Sequence, residues 1–339
     1  MNMRDVARRA GVSSATVSRV LNGSPLVTER TATRVREVLD KMGYIPNPHA
    51  TTLKYGRSKT YGLIVPDIWN PFYAEFLGAF EHLVREIDYE LLFTNVEDDA
   101  KLVSSVRRML MRQVDGAVLM ASEFDTKAIE PLLLHKVPLV TVDRRAVQTG
   151  CSDVAIDFES GFQHAVKHLK ELGHCQLGFI GGTEGLKTSR VRFQAFRSAL
   201  EHNGLTFHQE FVCTGNYRVD GGDLAVRALW ERPMRPSAVL TVNDLTAFGV
   251  IRGLHRMGFA VPRDVSVVGV DDLLLSDVMQ PELTTIRVPR QRMAAVCLEA
   301  LNYTKEDVHR RGRRFSVPTE FIVRESTVHA SCSEKTRAK

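Results

Sequence analysis

Over residues 3–10 the apolar positions Val6, Ala7 and Ala10 share one face of a helix, and Gly11 follows as a residue able to close it in a left-handed conformation. Ser13 is placed to cap a second helix from Ser14 to Leu21, with Val17, Val20 and Leu21 inward and Ser14, Ala15, Thr16, Ser18, Arg19 and Asn22 on the remaining faces. Asn22-Gly23-Ser24-Pro25 is loop chemistry. Beyond it, Thr28 is placed to cap a third helix that carries Glu29 in its first turn and turns Val35, Val38, Leu39 and Met42 inward. Two short helices separated by about one turn, with a third behind them, make a helix-turn-helix unit. The outward residues at the start of the second helix are small and hydrogen-bonding, which lets a backbone approach base edges in a major groove. Arg19 is then suited to bidentate pairing with guanine.

From residue 60 the period changes. Short β-branched runs at Tyr61–Pro66, Glu90–Thr94, Gly116–Met120 and Pro138–Val142 alternate with amphipathic stretches. The alternation restarts at Gln176–Ile180 and continues through Ala238–Val242 and Val265–Val270, with helical patterns at Phe193–Asn203, Asp223–Trp230 and Thr246–Met257. The fold class is therefore α/β, an all-α headpiece followed by two doubly wound lobes of parallel sheet. Ser160–Leu172 leads into the second lobe and Thr284–Val288 returns the chain, so several crossovers flank a cleft at the carboxyl ends of the strands, where a ligand belongs. The polar and aromatic residues at those ends are Asn70 with Phe72 and Tyr73, then Asp143 and Arg144, Asp157, Arg190 and Arg192. Tyr217, Asn243 with Asp244, and Asp271 with Asp272 follow. Carboxylates, guanidinium, amide and rings together suit sugar recognition. Asp143 and Asp157 could equally cap the helices that follow them. Arg144 could admit an acidic or phosphorylated sugar, or pair with a neighbouring acid.

Charge separates the two parts. Residues 1–59 hold eleven Lys and Arg against four Asp and Glu, whereas the remainder holds 34 against 36, so all of the net +5 lies in the first sixth of the chain. A basic module of this size is the footprint of a nucleic-acid partner. Hydrophobic residues at 44% and charged residues at 25%, with no apolar run near 18 residues, argue against a membrane protein. The opening MNMRDVARRA lacks the apolar core of a secretory signal, and the five cysteines (Cys151, Cys175, Cys213, Cys297, Cys332) stand singly. A cytoplasmic protein with reduced thiols, no metal site and no cofactor is expected.

The enzyme readings find no support. Gly178, Gly181, Gly182 and Gly185 lack the spacing of a dinucleotide fingerprint or a phosphate loop and read as a tight turn at the cleft. No nucleophile elbow or zinc helix is present.

The run Asp5-Val6-Ala7-x-x-Ala10-Gly11-Val12-Ser13-x-x-Thr16-Val17-Ser18-Arg19-Val20-Leu21-Asn22, followed by Gly43-Tyr44-x-Pro46-Asn47, resembles the lactose repressor/galactose repressor family. The resemblance extends from residue 2 to Val323-Arg324-Glu325-Ser326 and implies a periplasmic-binding-protein-like body. It also implies a homodimer on a pseudo-palindromic double-stranded DNA operator, with repression as the default. By the same resemblance Ser14 and Ala15 choose the operator sequence, while Thr16, Ser18, Arg19 and Asn22 make shared base or phosphate contacts.

Residues 47–59 read as a linker, too short and too rich in Pro, Thr and Gly for a stable isolated helix. In the resembling family this segment becomes a helix on the operator and inserts a leucine into the minor groove. Leu53 stands at that position beside Lys54, with His49 upstream, although Leu53 could instead pack on the sensor body. Arg192, Asn243 and Asp271 match positions that hold the effector, and Phe72, Tyr73 and Tyr217 match its walls. The effector is then a sugar, sugar acid or sugar phosphate.

The expected organisation is a headpiece over 1–46, the linker 47–59, a sensor over 60–327, and a polar tail over 328–339. Within the sensor, lobe 1 comprises about 60–159 and 290–327, and lobe 2 about 160–289. The tail has no apolar heptad, which points to a dimer without a tetramerisation helix. The competing reading is a solute-binding sugar sensor or transport protein without DNA function, which would show no salt dependence of DNA binding.

Overall fold

The computed structural model describes residues 2–21, 23–44, 57–120, 123 and 126–330. The chain divides into two compact units between Ser58 and Lys59.

The first unit holds three helices, α1 (Met3–Ala10), α2 (Ser14–Leu21) and α3 (Glu29–Met42). Their seam is the small core of Val6, Ala7, Ala10, Val17, Val20, Ala32, Val35 and Leu39. Gly11 and Gly43 end α1 and α3 at φ +60° and +55°, the left-handed conformation that glycine adopts without penalty. Ser13 Oγ accepts the Thr16 N–H at 3.1 Å, as its position predicts. Thr28 departs from expectation. It occupies the cap position of α3, but its hydroxyl bonds the Thr31 hydroxyl at 3.0 Å and makes no side-chain bond to the helix backbone. At the start of α1 an unanticipated capping box forms, with the Asn2 and Asp5 side chains each accepting the other's backbone N–H at 3.1 Å.

The second unit alternates strand and helix. Its first sheet contains β1 (Thr60–Val65), β2 (Glu90–Asn95), β3 (Gly116–Leu119), β4 (Leu139–Val142), β5 (Cys151–Asp157) and the late strand β11 (Arg314–Pro318). The order is β11-β5-β4-β3-β1-β2, all parallel. Its second sheet contains β6 (Leu177–Gly181), β7 (Val212–Thr214), β8 (Ala238–Thr241), β9 (Ser266–Asp271), β10 (Thr284–Arg287) and β12 (Glu320–Ile322). The order is β12-β10-β9-β8-β6-β7, with β12 alone antiparallel. Helices α4 (Pro71–Glu86), α5 (Asp99–Met111), α6 (Glu130–Leu134) and α11 (Arg290–Glu306) cover the first sheet. Helices α7 (Phe158–Glu171), α8 (Lys187–His202), α9 (Val219–Trp230) and α10 (Asp244–Arg256) cover the second.

The chain passes between lobes three times: from β5 into α7, from β10 into α11, and from β11 into β12 through the buried Thr319. The third passage corrects one expected boundary. Residues 290–327 do not all belong to the first lobe, because β12 pairs with β10, and Ser326 fastens to Val267 by an N–H···O bond of 2.8 Å and an O–H···O bond of 2.6 Å. Three residues of strand are too short to show a period in sequence.

Two helices also begin a full turn or more earlier than the pattern indicated. α8 starts at Lys187 rather than Phe193, which places Arg190 and Arg192 on its first turns. α9 starts at Val219 and runs through Gly221 and Gly222, a pair that reads as a helix breaker. Its purpose is close helix contact: a Cβ on Gly222 would lie 2.2 Å from the Thr246 carbonyl oxygen, and one on Gly249 would lie 2.0 Å from that of Val219. Inside the lobes, Phe76, Phe80, Phe162, Phe179 and Phe196 are fully buried in one apolar core. Leu102, Met109, Leu132 and Leu139 fill a second on the other face of the first sheet.

Candidate functional site

In the first unit, α2 presents Ala15 and Arg19 to solvent, with Ser14, Thr16 and Ser18 half-buried beside them. Val17 and Val20 on the opposite face anchor the helix in the core, so its outward face is fixed in orientation. The Thr16 hydroxyl lies 2.9 Å from that of Ser13 and is therefore held to the cap. Arg4, Arg9, Arg30 and Arg34 add exposed cations, whereas Arg8 lies 4.0 Å from Asp5 and Arg36 is paired with Glu29 at 2.8 Å. Asn22, His49, Leu53 and Lys54 lie outside the described residues.

In the second unit the strand ends converge as expected, and Arg192 is their centre. It rises from α8, is buried, and donates from Nη2 to Asp271 Oδ1 at 3.2 Å and from Nη1 to the Val242 carbonyl. Its guanidinium lies over the Phe158 ring at 4.5 Å and near that of Tyr217 at 5.9 Å. Its Nε has no hydrogen-bond partner among the described residues. A buried donor left open beside two aromatic rings is a place for a ligand oxygen.

Burial pushes the Asp271 carboxyl up to about 6 although Arg192 and Arg290 pull the other way, and the Asp143 carboxyl is likewise pushed up to about 6 by burial. Tyr73 reaches this group from the first lobe. Burial raises its phenol, and Arg192, Asp271 and Tyr217 all act on it. Tyr217 donates to Thr188 Oγ1 at 3.1 Å. Its ring lies against Gly182, where a Cβ would come within 2.0 Å of it, so the glycine-rich stretch serves as the expected tight turn. Asp143, Tyr217, Asp271 and Asp272 all have positive φ, between +55° and +113°. Non-glycine residues held there store strain, and such strain gathers at ligand sites.

Several strand-end residues do something else. Asp157 caps α7 by accepting the Ser160 N–H at 3.2 Å, the alternative its position allowed. Asn243 caps α10, accepting from the Thr246 N–H at 3.0 Å and hydroxyl at 2.6 Å, and its Nδ2 donates to the Tyr217 carbonyl at 3.1 Å. Asn243 thus positions Tyr217. Phe72 is buried in the apolar core with its ring edge-on to Tyr73, and so supports the wall from behind. Arg144 is buried, its N–H donating to Asp153 Oδ1 at 3.1 Å. Asp244 receives the Thr285 and Ser276 hydroxyls at 2.6 and 2.7 Å and the Leu273 N–H at 2.8 Å, which locks α10 to the strand ends. Asp272 is held between Arg287 at 2.6 Å and Arg324 at 2.7 Å. Arg190 is exposed and takes no part in the group.

Contacts across the cleft were not anticipated. Asp67 pairs with Arg218 at 2.9 Å, and Glu75 accepts the Leu274 N–H at 3.1 Å. Glu123 accepts the N–H groups of Lys187 and Thr188, at 2.7 and 2.8 Å, at the start of α8. The signal was available in part, since Asp67 and Glu123 follow strand ends as Asp143 does. Among the described residues no group of acids, histidines and cysteines could hold a metal, and no helix is long and apolar enough to cross a membrane.

Residues 2–47 match the bacterial regulatory proteins of the lacI family, and residues 166–327 match a periplasmic binding protein-like domain. The chain is 34% identical to catabolite control protein A of Priestia megaterium over 299 residues, covering 88% of this chain and 90% of that protein. It is 33% identical to the ribose operon repressor of Escherichia coli (strain K12) over 302 residues, covering 88% and 91%. The solved complex of the transcriptional regulator CelR with cellobiose superposes with a TM-score of 0.73 at 28% identity, covering 96% of this chain and 99% of that one.

Proposed function

This chain belongs to the lacI family of bacterial regulatory proteins, and from that premise we propose that it is a cytoplasmic, homodimeric repressor released from or locked onto its operator by a small carbohydrate effector. The observation that carries the sensor half is the buried Arg192–Asp271 pair, with the open Arg192 Nε and the rings of Phe158, Tyr73 and Tyr217 around it. A planar guanidinium beside a carboxylate offers donors and acceptors to adjacent hydroxyls, and aromatic rings take the C–H face of a sugar. Such a ligand has affinity only where both lobes reach it, so it favours the closed arrangement over the open one. The named activity of the ribose operon repressor and the cellobiose bound to CelR support a sugar as the ligand class.

At the other end of the chain, Ser14, Ala15, Thr16, Ser18 and Arg19 read the operator, with Asn22, His49, Leu53 and Lys54 as further contacts. One headpiece presents one short recognition helix, so two copies reading a pseudo-palindromic site suit the geometry of such motifs. Effector and operator are coupled by about 1–3 kcal/mol, and the coupling is reciprocal. Operator binding followed by fluorescence anisotropy, with and without candidate sugars, tests the reading. Arg192→Ala should leave operator affinity unchanged and abolish the response to the sugar. A preserved response removes Arg192 from the site, and a log–log salt slope near zero for DNA binding would end the regulator reading.

A further inference from the structure

Five anion-receptive groups around the cleft already face a carboxylate or carbonyl of the protein itself. Arg192 is taken by Asp271 at 3.2 Å and Arg218 by Asp67 at 2.9 Å. Arg290 is taken by Glu75 at 2.9 Å, and it also donates to the Asp271 and Asp272 carbonyls. The N-terminal amides of α8, which would otherwise attract a phosphate or carboxylate, are capped by both oxygens of Glu123. The Lys187 ammonium donates to the Arg144 carbonyl, and Asp153 lies within electrostatic reach of Lys187 and accepts the Arg144 N–H. Asp143 then adds a further buried carboxylate that feels Arg192, and its own acceptor is used by the Ile156 N–H at 2.8 Å. Arg192, Arg218, Arg290 and Lys187 are thus each engaged by the protein's own oxygens.

We propose that this cleft selects an uncharged polyhydroxyl effector and rejects sugar acids and sugar phosphates, with Glu123, Asp67 and Asp271 as the residues that set the selection. The proposal rests on the effector reading above and narrows it. A hydroxyl can accept from the open Arg192 Nε and donate to Asp271 or Asp143, so it meets the site with both of its hydrogen-bonding roles. An ionised carboxylate can only accept, and a phosphate is chiefly an acceptor that brings full negative charge. Either anion would enter a desolvated space already lined by the Asp271 and Asp143 carboxylates and, beyond the open Arg192 Nε, would have to displace a protein oxygen from each donor it used. Two of the three, Asp67 and Glu123, also hold the lobes together, whereas Asp271 pairs with Arg192 inside the second lobe. Asp67 and Glu123 come from the first lobe and grip the second, so an anion could win their donors only by opening the cleft that is to bind it.

Calorimetry and thermal shift on the full-length protein test this with defined probes: neutral aldoses and disaccharides, glucose 6-phosphate, glucuronate and inorganic phosphate. The wild type is expected to be stabilised by a neutral sugar and not by the three anions. Glu123→Gln and Asp271→Asn, each of which leaves donors without an anionic partner, should bind inorganic phosphate about ten-fold more tightly than the wild type. Asp67→Asn, on the cleft rim, provides the same comparison where a buried substitution impairs folding. Binding of glucose 6-phosphate or glucuronate to the wild type as tightly as any neutral sugar, lost in Arg192→Ala, overturns the proposal. So does a phosphate affinity that none of the three variants raises. A panel in which no neutral sugar binds counts against the sugar reading alone, because the phosphate comparison still decides the charge assignment.

Discussion

The headpiece and the sensor hold their functional residues in opposite ways. On α2 the candidate DNA-contact residues are exposed or half-buried, close together in sequence, and anchored by Val17 and Val20 beneath them. In the sensor the central pair joins residues 79 positions apart, both buried, and exists only when a helix and a strand far apart in the chain have packed together in the second lobe. A surface that meets a large, charged partner needs little more than placement and electrostatics. A cleft that meets a small molecule must store its selectivity in desolvated pairs, where each unmatched group is costly.

The sharpest break between the regions should come from Asp271→Ala. It leaves the Arg192 guanidinium buried without its carboxylate, and the expected loss is about 3–5 kcal/mol of sensor stability. Denaturant unfolding followed separately by probes in each unit should show the sensor transition shifted and that of the headpiece unmoved. A joint shift would mean that the two units are not energetically separate.

Next in size is a pH effect confined to the sensor. The Asp143 carboxyl is held at about 6 by burial against an ordinary value of 3.8, so between those values the folded protein binds more protons than the unfolded chain. Stability from this group is fully present below pH 4 and is lost as pH rises through 6, by up to about 3 kcal/mol. Asp143→Asn should reduce the slope of the stability profile between pH 4 and 7, leaving the share that belongs to Asp271, and an unaltered slope would assign the titration elsewhere.

In the headpiece the effects are smaller and concern binding more than folding. Arg19→Ala should weaken specific operator binding by about 1–3 kcal/mol and leave melting of both units in place, as measured by anisotropy and calorimetry. Loss of the Ser13 hydroxyl in Ser13→Ala should lower headpiece stability by about 1 kcal/mol, through the Thr16 N–H that it now satisfies. A Ser13→Ala protein with unchanged headpiece melting would show that solvent replaces the cap.

The same contrast governs what could be read from the chain. Helix period and capping are local, so Val6, Val17, Val35 and Ser13 gave α1 to α3 almost to the residue, with differences confined to the caps at Thr28 and Asn2. Strands with uniformly apolar interiors, such as β1, β3 and β8, were legible for the same reason. β5 was not, because its buried positions include Ser152 and Asp153, whose partners Thr304, Thr141 and Arg144 lie on other elements. In the cleft, polarity at a strand end marked the right places without distinguishing ligand groups from supports. Arg192 and Asp271 meet, whereas Asp157 and Asn243 cap helices. Glu123 and Arg218 became visible only once folding set one lobe against the other.

The threefold passage of the chain also sets an order of events during synthesis. The first sheet lacks its edge strand β11 until Arg314–Pro318 has been made, and the second lacks β12 until Glu320–Ile322 follows. Neither lobe can therefore be finished while the chain is still being extended through the other. The headpiece has its own core within the first 44 residues and waits for nothing downstream. A nascent chain emerging N-terminus first thus acquires its DNA-reading module long before its means of responding to a small molecule, and translation that stops short of residue 314 leaves both halves of the sensor open at one edge.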